Sequence, residues 1–483
     1  MLAKLSQKIG AGRRAKTGVY ATLLLGVFLI VSPLKGQRED GSSTPWQNPT
    51  GEYTYNQSIR RVSTAPVREA SPPDVSDPSP ANSMEDDSNS CGNGQGSCRA
   101  PDCGGDGYDY WDLGLGANWD CGICFNQFYK QLWFRGEYLS WWSKSASLPP
   151  LATTSPNGTP AAQAGILGQD GTNILFGGGD VDYGGIPGGR FTLGYWLNPC
   201  RELGIEAVYT FLSNKSADYS ISSDSGGSPI IARPFYNVST KDRTPGQDAI
   251  LIAYPGLLTG SLNIGIASEL SSVEVLVRKT FYQQCNRQAD FLLGYRYGNF
   301  NEDLSIESSS ISRLYLVTTQ FSDQFSAAND FNGAELGFTT RSRYCRWTME
   351  LLAKLALGDT RSRVRIDGSS SVTNSSGSKT TYQHDGLLAL PTNIGVYEQN
   401  AFSVIPELGA TVGYNITCRL KATVGYTLLY WSRVVRPGDQ IDTYLNSTQM
   451  LGKTLSGVPF PQPNFVTTDF WAQGINVGLE YRF

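Results

Sequence analysis

Few residues in this chain are suited to acid–base or nucleophilic chemistry. Its 483 residues include one histidine, His384, in the stretch YQHDG, with Asp385 beside it. A hydrolytic site would need that imidazole as its base. No serine-containing nucleophile motif lies nearby, and local hydrogen bonding explains the His–Asp adjacency. The cysteines of CGIC (Cys121, Cys124) have the spacing of a redox dithiol, but no thioredoxin-like pattern surrounds them, and zinc would require a second matched pair. The run GGGDVDYGGIPGG (177–189) is rich in glycine but lacks the lysine of a phosphate loop. It reads as a flexible approach to a strand, with Asp180 and Asp182 as poor calcium candidates. The expectation is no catalytic residue, no metal and no cofactor: not an enzyme.

Regularly spaced charge is what the sequence offers instead. Arg135, Glu137, Arg190, Glu206, Glu274, Arg278, Arg296, Glu335, Glu350, Lys354, Glu407, Lys421, Glu480 and Arg482 all sit in alternating segments, in phase with small and polar residues, and Glu202 and Asp290 share that phase. The intervening positions are apolar. Leu203, Ile205, Ala207, Tyr209 and Phe211 alternate with Glu202, Gly204, Glu206 and Thr210; Trp347, Met349, Leu351, Ala353, Leu355 and Leu357 alternate with Thr348, Glu350 and Lys354. Side chains along a strand point to opposite faces in turn. Runs of about 9 to 11 residues or more exceed the usual globular strand and match a tilted bilayer crossing. Apolar-out, polar-in alternation of this kind is the mark of a membrane β-barrel. The charged face then lines the lumen, either as a conduction path with weak cation preference or as salt bridges that fill a narrow barrel. The filled lumen is favoured, because about eight strands leave room only for side chains.

The elements that must carry these charges are hairpins. Four tight turns, at Cys200, Cys285, Cys345 and Cys418, are each followed within two residues by an arginine: Arg201, Arg287, Arg346 and Arg419. Long Ser/Thr/Gly-rich connections, such as DGSSSVTNSSGSKTTYQHDG, join one hairpin to the next. Short turns at one end and long loops at the other predict an all-β fold: a transmembrane, antiparallel, up-and-down barrel of about ten strands with long extracellular loops. Strand one is expected over 129–143, strand ten over 467–483, and two strands flank each turn cysteine. In the fourth strand the apolar phase shifts between Ile266 and Val273, which suggests a bulge. Lys279 falls on the apolar face near the turn, where it snorkels. Two aromatic belts are expected, with Tyr195, Phe281, Trp347, Tyr414 and Phe483 at the turn end and Trp142, Tyr209, Phe211 and Tyr430 at the loop end. In the terminal stretch GINVGLEYRF, Val477, Leu479, Tyr481 and Phe483 share one face and resemble the signal read by the barrel assembly machinery. Phe483 is expected to close the ring beside strand one.

Three regions follow. Residues 1–36, with a basic start and the 13-residue apolar core VYATLLLGVFLIV, read as a signal peptide. Residues 37–127 read as a disordered periplasmic tail rich in Pro, Ser and Cys. Residues 128–483 form the barrel. With 39 basic and 43 acidic residues the net charge is −4, and no basic stripe points to nucleic acid. Nine cysteines imply an oxidising compartment. Cys121, Cys124, Cys200, Cys285, Cys345 and Cys418 are placed on the periplasmic rim. Adjacent turns lie about 10 Å apart, beyond the roughly 7 Å limit for a disulfide, unless the turns flex or the tail cysteines close the gap. An odd count leaves one thiol free or paired with an envelope neighbour.

The stretches FRGEYLSWWSKS, GGRFTLGYWLNP and LGIEAVYTFL, the ELG repeats at Glu202, Glu335 and Glu407, and the terminal LEYRF together resemble the putative beta barrel porin-7 family, outer-membrane proteins found mainly in planctomycete bacteria. The resemblance runs from about 127 to 483. It implies a barrel in the bacterial outer membrane, surrounded by lipid. The expected role is structural or passive and porin-like. The alternative is a surface adhesin or receptor acting through the loops, with a barrel-embedded hydrolase a distant third.

Overall fold

The computed structural model describes residues 131–198, 201–241, 244–284 and 286–483. The expected signal peptide and tail, and Cys121, Cys124, Cys200 and Cys285, lie outside the described residues. Ten long strands form the wall: β1 (Leu132–Ser143), β2 (Ile186–Trp196), β3 (Leu203–Ser222), β4 (Leu258–Gln284), β5 (Arg287–Ser312), β6 (Thr318–Tyr344), β7 (Trp347–Thr373), β8 (Gly395–Asn415), β9 (Leu420–Val435) and β10 (Thr467–Arg482). Each pairs antiparallel with its neighbours in the chain. β10 then pairs with β1, from Trp133↔Arg482 to Ser143↔Ala472, and the ring closes without an edge. Phe483 N–H donates to Leu132 O at 3.1 Å.

The turns at one end are tight. Gln284 faces Arg287 and Tyr344 faces Trp347 across two-residue loops. Cys345 holds a left-handed φ of 53°, which such hairpins demand. Lys279 points outward and pairs with Glu202 at 3.3 Å. Glu202 is therefore exposed on the rim rather than inside the barrel, because it belongs to the turn and not to the strand that follows.

The strands are far longer than a bilayer requires. β4, β6 and β7 each run 27 residues, against about 9 to 11 for a crossing. β7 shows where the membrane stops. Its outward residues are apolar from Trp347 to Leu357 and then become Asp359, Arg361, Arg363 and Arg365. Eleven tilted residues rise about 25 Å, the height of a barrel's apolar band. At the same level Tyr295 and Tyr297 of β5 donate hydroxyls to Asn332 (2.6 Å) and Asp330 (2.9 Å) on β6, forming part of the outer aromatic belt.

The inward face reverses at that boundary. Along β7 it reads Glu350, Lys354 within the membrane and Val364, Ile366 above it. This reversal accounts for the phase shift expected in the fourth strand. In β4, Val273, Val275 and Val277 face lipid, whereas Leu262, Ile264 and Ile266 face an interior core above the membrane. β4 keeps its parity from Leu262 to Thr280, and its own irregularity lies nearer the turn, between Thr280 and Tyr282. The register shift opposite Ser268/Leu270 comes from an extra residue in β3, between Leu212 and Lys215.

The long connections are folded too. Residues 379–383 return as a strand against Ser369–Thr373, so the Ser-rich stretch is a hairpin. In the glycine-rich run, Gly179–Val181 pairs with Ala146–Leu148, and Tyr183 is buried with its hydroxyl on Glu302 at 2.9 Å. The flexible approach expected there is in fact fixed by these two anchors.

Candidate functional site in the barrel interior

The sequence-derived charges lie on different strands but meet inside the ring in two layers. Arg135, near the turn end, contacts Glu350 Oε1 at 3.0 Å and Glu480 Oε2 at 2.7 Å. Arg341 holds the other oxygen of Glu350 at 2.8 Å, while Lys421 (2.5 Å) and Arg482 (2.9 Å) reach Glu480. Arg341 was not among the expected lumen charges: it sits close to the turn, where its phase is ambiguous. Beside this layer Arg278 pairs with Glu206 at 3.2 Å and Asp290 at 3.6 Å, and lies over the rings of Trp133 and Trp196.

The second layer is more enclosed. Arg296 contacts Glu407 (3.0 Å), Glu335 (3.2 Å) and Glu274 (3.5 Å). Lys354 contacts Glu274 (2.5 Å), Glu407 (3.2 Å) and Glu335 (3.6 Å), and Arg190 adds a 2.9 Å contact to Glu407. Three carboxylates thus meet three cations, each of the six on a different strand. Glu274, Glu335 and Glu407 are close enough together to suit a metal, but Arg190, Arg296 and Lys354 already balance them, so the donor set fits an ion-pair lattice better. Between the layers a cavity of about 60 Å³, bordered by Glu137, Arg190 and Lys354, holds no more than a few waters.

Above the second layer the interior turns apolar. Trp141, Phe300, Phe331, Trp431 and Phe470 are all buried. The Phe300 and Phe470 rings lie 4.1 Å apart, and Trp431 meets Phe331 edge-on at 6.0 Å. Their polar edges are satisfied: Trp141 Nε1 donates to Asn476 at 2.7 Å and Trp431 Nε1 to Thr360 at 3.0 Å. β9 bends inward here. Asn329 pairs with both backbone groups of Val435, its Oδ1 accepting at 2.7 Å and its Nδ2 donating at 2.9 Å. The chain then passes through the lumen, and Arg436 clasps Glu302 at 2.6 and 2.7 Å. Higher still, Asp323 pairs with Arg233 at 2.6 Å and accepts the N–H groups of Leu387, Leu388 and Ala389, anchoring a knot of four buried residues, Leu387–Leu390.

Other expected residues lie outside the interior. Val477, Leu479, Tyr481 and Phe483 are exposed on the lipid-facing side. Cys345 and Cys418 lie at turns. His384 is 68% exposed, with Nδ1 3.4 Å from Asp367. Asp385 instead turns to Ser370 and the Gly452 N–H, so the two neighbours form no shared site.

A closed ten-strand ring with an apolar outer band, a charged interior, short turns at one end and long loops at the other defines an outer-membrane β-barrel protein. A family model described as Putative beta barrel porin-7 (BBP7) matches residues 133–483, and the chain belongs to that family. Its place is the bacterial outer membrane. No curated protein matches the chain. Among solved structures it is similar to the outer membrane protease OmpT from Escherichia coli (10% identity, 73% of this chain and 96% of that one, TM-score 0.37) and to a Pseudomonas aeruginosa FadL homologue (9% identity, 73% and 90%, TM-score 0.20).

Proposed function

We propose that this protein is a sealed structural barrel that anchors a folded loop body at the cell surface, rather than a passive conduit. The observation that carries this reading is the aromatic plug above the charged layers. An ion crossing the barrel would have to shed its hydration among Trp141, Phe300, Trp431 and Phe470. Planar-bilayer recording of the refolded full chain, with and without reductant, tests the reading. The expected trace has no unitary steps in either condition, and steady channels would establish the transport reading instead.

A surface-receptor role is the second reading. It is supported by an extracellular groove of about 560 Å³ lined by hydroxyls, including Ser308, Ser309, Ser369 and Thr381. The proposal includes no catalytic role. His384→Ala is expected to leave every property of the protein unchanged. Recognition of Phe483 by the assembly machinery, and rim disulfides, intramolecular or to envelope neighbours, belong to the same proposal.

A further inference from the structure

Charge is unbalanced at the periplasmic mouth. Below the Arg135 layer the lumen opens into a cup of about 160 Å³, lined by Arg201, Arg278, Arg287, Arg341, Arg343 and Arg482, with Glu480 as its one carboxylate. The rest of the lining is neutral, mainly glutamine, asparagine and tryptophan. Glu480 is already occupied by Arg135, Lys421 and Arg482. In the layer behind the cup, four cations share two carboxylates. Among the described residues, Arg201, Arg287 and Arg343 have no carboxylate partner within 4.0 Å. Arg201 and Arg287 are two of the four arginines that follow the turn cysteines.

Packing does not require these three side chains, which are exposed, and their mutual repulsion opposes the fold. A guanidinium is a rigid fork of donors that stays charged and matches carboxylate and phosphate geometry. Several of them converge on a concave space whose floor is sealed, so an anion that enters is held rather than conducted. We propose that the periplasmic mouth is a receptor for a multivalent oxyanion, a ligand bearing two or more carboxylate or phosphate groups. Two sources share this chemistry. One is a free periplasmic oxyanion. The other is the chain's own run of Asp102, Asp106, Asp109, Asp112 and Asp120, whose last member is eleven residues, at most about 40 Å of extended chain, from Gln131 in the cup lining.

Isothermal titration of the full chain with inorganic pyrophosphate at low ionic strength tests the proposal. Three forms are compared: wild type, R287Q/R343Q, and a chain with the five aspartates changed to asparagine. Saturable binding is expected, weakened at least tenfold by R287Q/R343Q and unchanged by K379Q at the opposite end. If the ligand is a free oxyanion, wild type and the asparagine chain bind alike. If the chain's own carboxylates fill the cup, the asparagine chain binds at least tenfold more tightly than wild type. Should R287Q/R343Q fail to assemble, the single variants R287Q and R343Q are each expected to weaken binding about threefold. Absence of binding by both wild type and the asparagine chain, or binding that the arginine changes leave intact, overturns the proposal.

Discussion

Trp431 is the residue on which the sealed interior can be tested most directly. It is 2% exposed, its indole N–H donates to Thr360 at 3.0 Å, and its ring meets Phe331 edge-on. Gly298 keeps space for it: a Cβ there would lie 3.3 Å from the ring. Trp431→Ala removes one of the two tryptophans of the plug, at about 3–5 kcal/mol, and leaves the Thr360 hydroxyl without its partner, at about 1 kcal/mol more. The combined loss is about 4–6 kcal/mol. Trp431→Phe keeps much of the ring packing and loses the hydrogen bond, for about 1–2 kcal/mol. In the Trp431→Phe/Thr360→Val double variant the two losses should not add, with a coupling of about 1 kcal/mol. Urea titration in micelles, followed by tryptophan emission and by heat-modifiable gel mobility, measures wild type, Trp431→Ala, Trp431→Phe, Thr360→Val and the double variant. The same variants should remain non-conducting, because the two ion-pair layers still fill the lumen below. A loss under about 1 kcal/mol for Trp431→Ala would show that the plug does not pack as described, and closure of the lumen would then rest on the two ion-pair layers alone.

Further outcomes follow from other contacts. Lys354→Met strips a cation from three carboxylates and should destabilise the barrel by about 3–5 kcal/mol in the same titration, more than Lys421→Met nearer the open mouth. Gly194→Ala would place a Cβ 2.2 Å from the Trp133 indole; displacement of that ring from Arg278 should cost about 1–3 kcal/mol and shift the emission maximum. Asp323→Ala releases three backbone N–H groups and Arg233, so protease cleavage near residues 387–390 should rise while the membrane band stays folded. Burial raises the Asp385 carboxyl above its ordinary value. Its neutral form therefore favours the folded loop below the unfolded pKa, and that contribution is lost as pH rises through the folded one. Asp385→Asn should accordingly slow proteolysis of the loop hairpin at pH 7 and have no effect near pH 3.

The wall of this barrel was legible in the sequence because membrane and lumen each impose a two-residue period on every strand. The cysteine-bearing turns mark the hairpins, and the ten-strand count follows from them. The interior was legible only in part. Parity places Arg190, Arg296, Lys354 and Glu407 on the inward face, but it carries no information on which of them meet across the lumen, since their partners lie on strands far apart in the chain. The cup was hidden for the same reason: Arg201, Arg287, Arg343 and Arg482 each appear singly, beside a different turn or strand end, and only closure of the ring brings them together.

The fourth strand shows why alternation alone misleads beyond the bilayer. Apolar residues mark the outward face at Val273, Val275 and Val277 and the inward face at Leu262, Ile264 and Ile266. A reader who assumes one solvent infers a bulge from that shift. The strand in fact crosses two solvents. Within hydrocarbon, the side chains that need partners turn inward and form ion pairs; in water, the apolar ones turn inward and pack. Where a strand's apolar phase flips without a break in its length, the flip locates the membrane surface. In β7 that surface falls between Leu357 and Asp359 on the outer face, level with the point where the inner face exchanges Lys354 for Val364. The loop body is therefore not an appendage with its own fold. It fills the upper half of the same wall, which explains how a barrel with charges in its membrane-spanning half comes to hold an ordinary hydrophobic core above them.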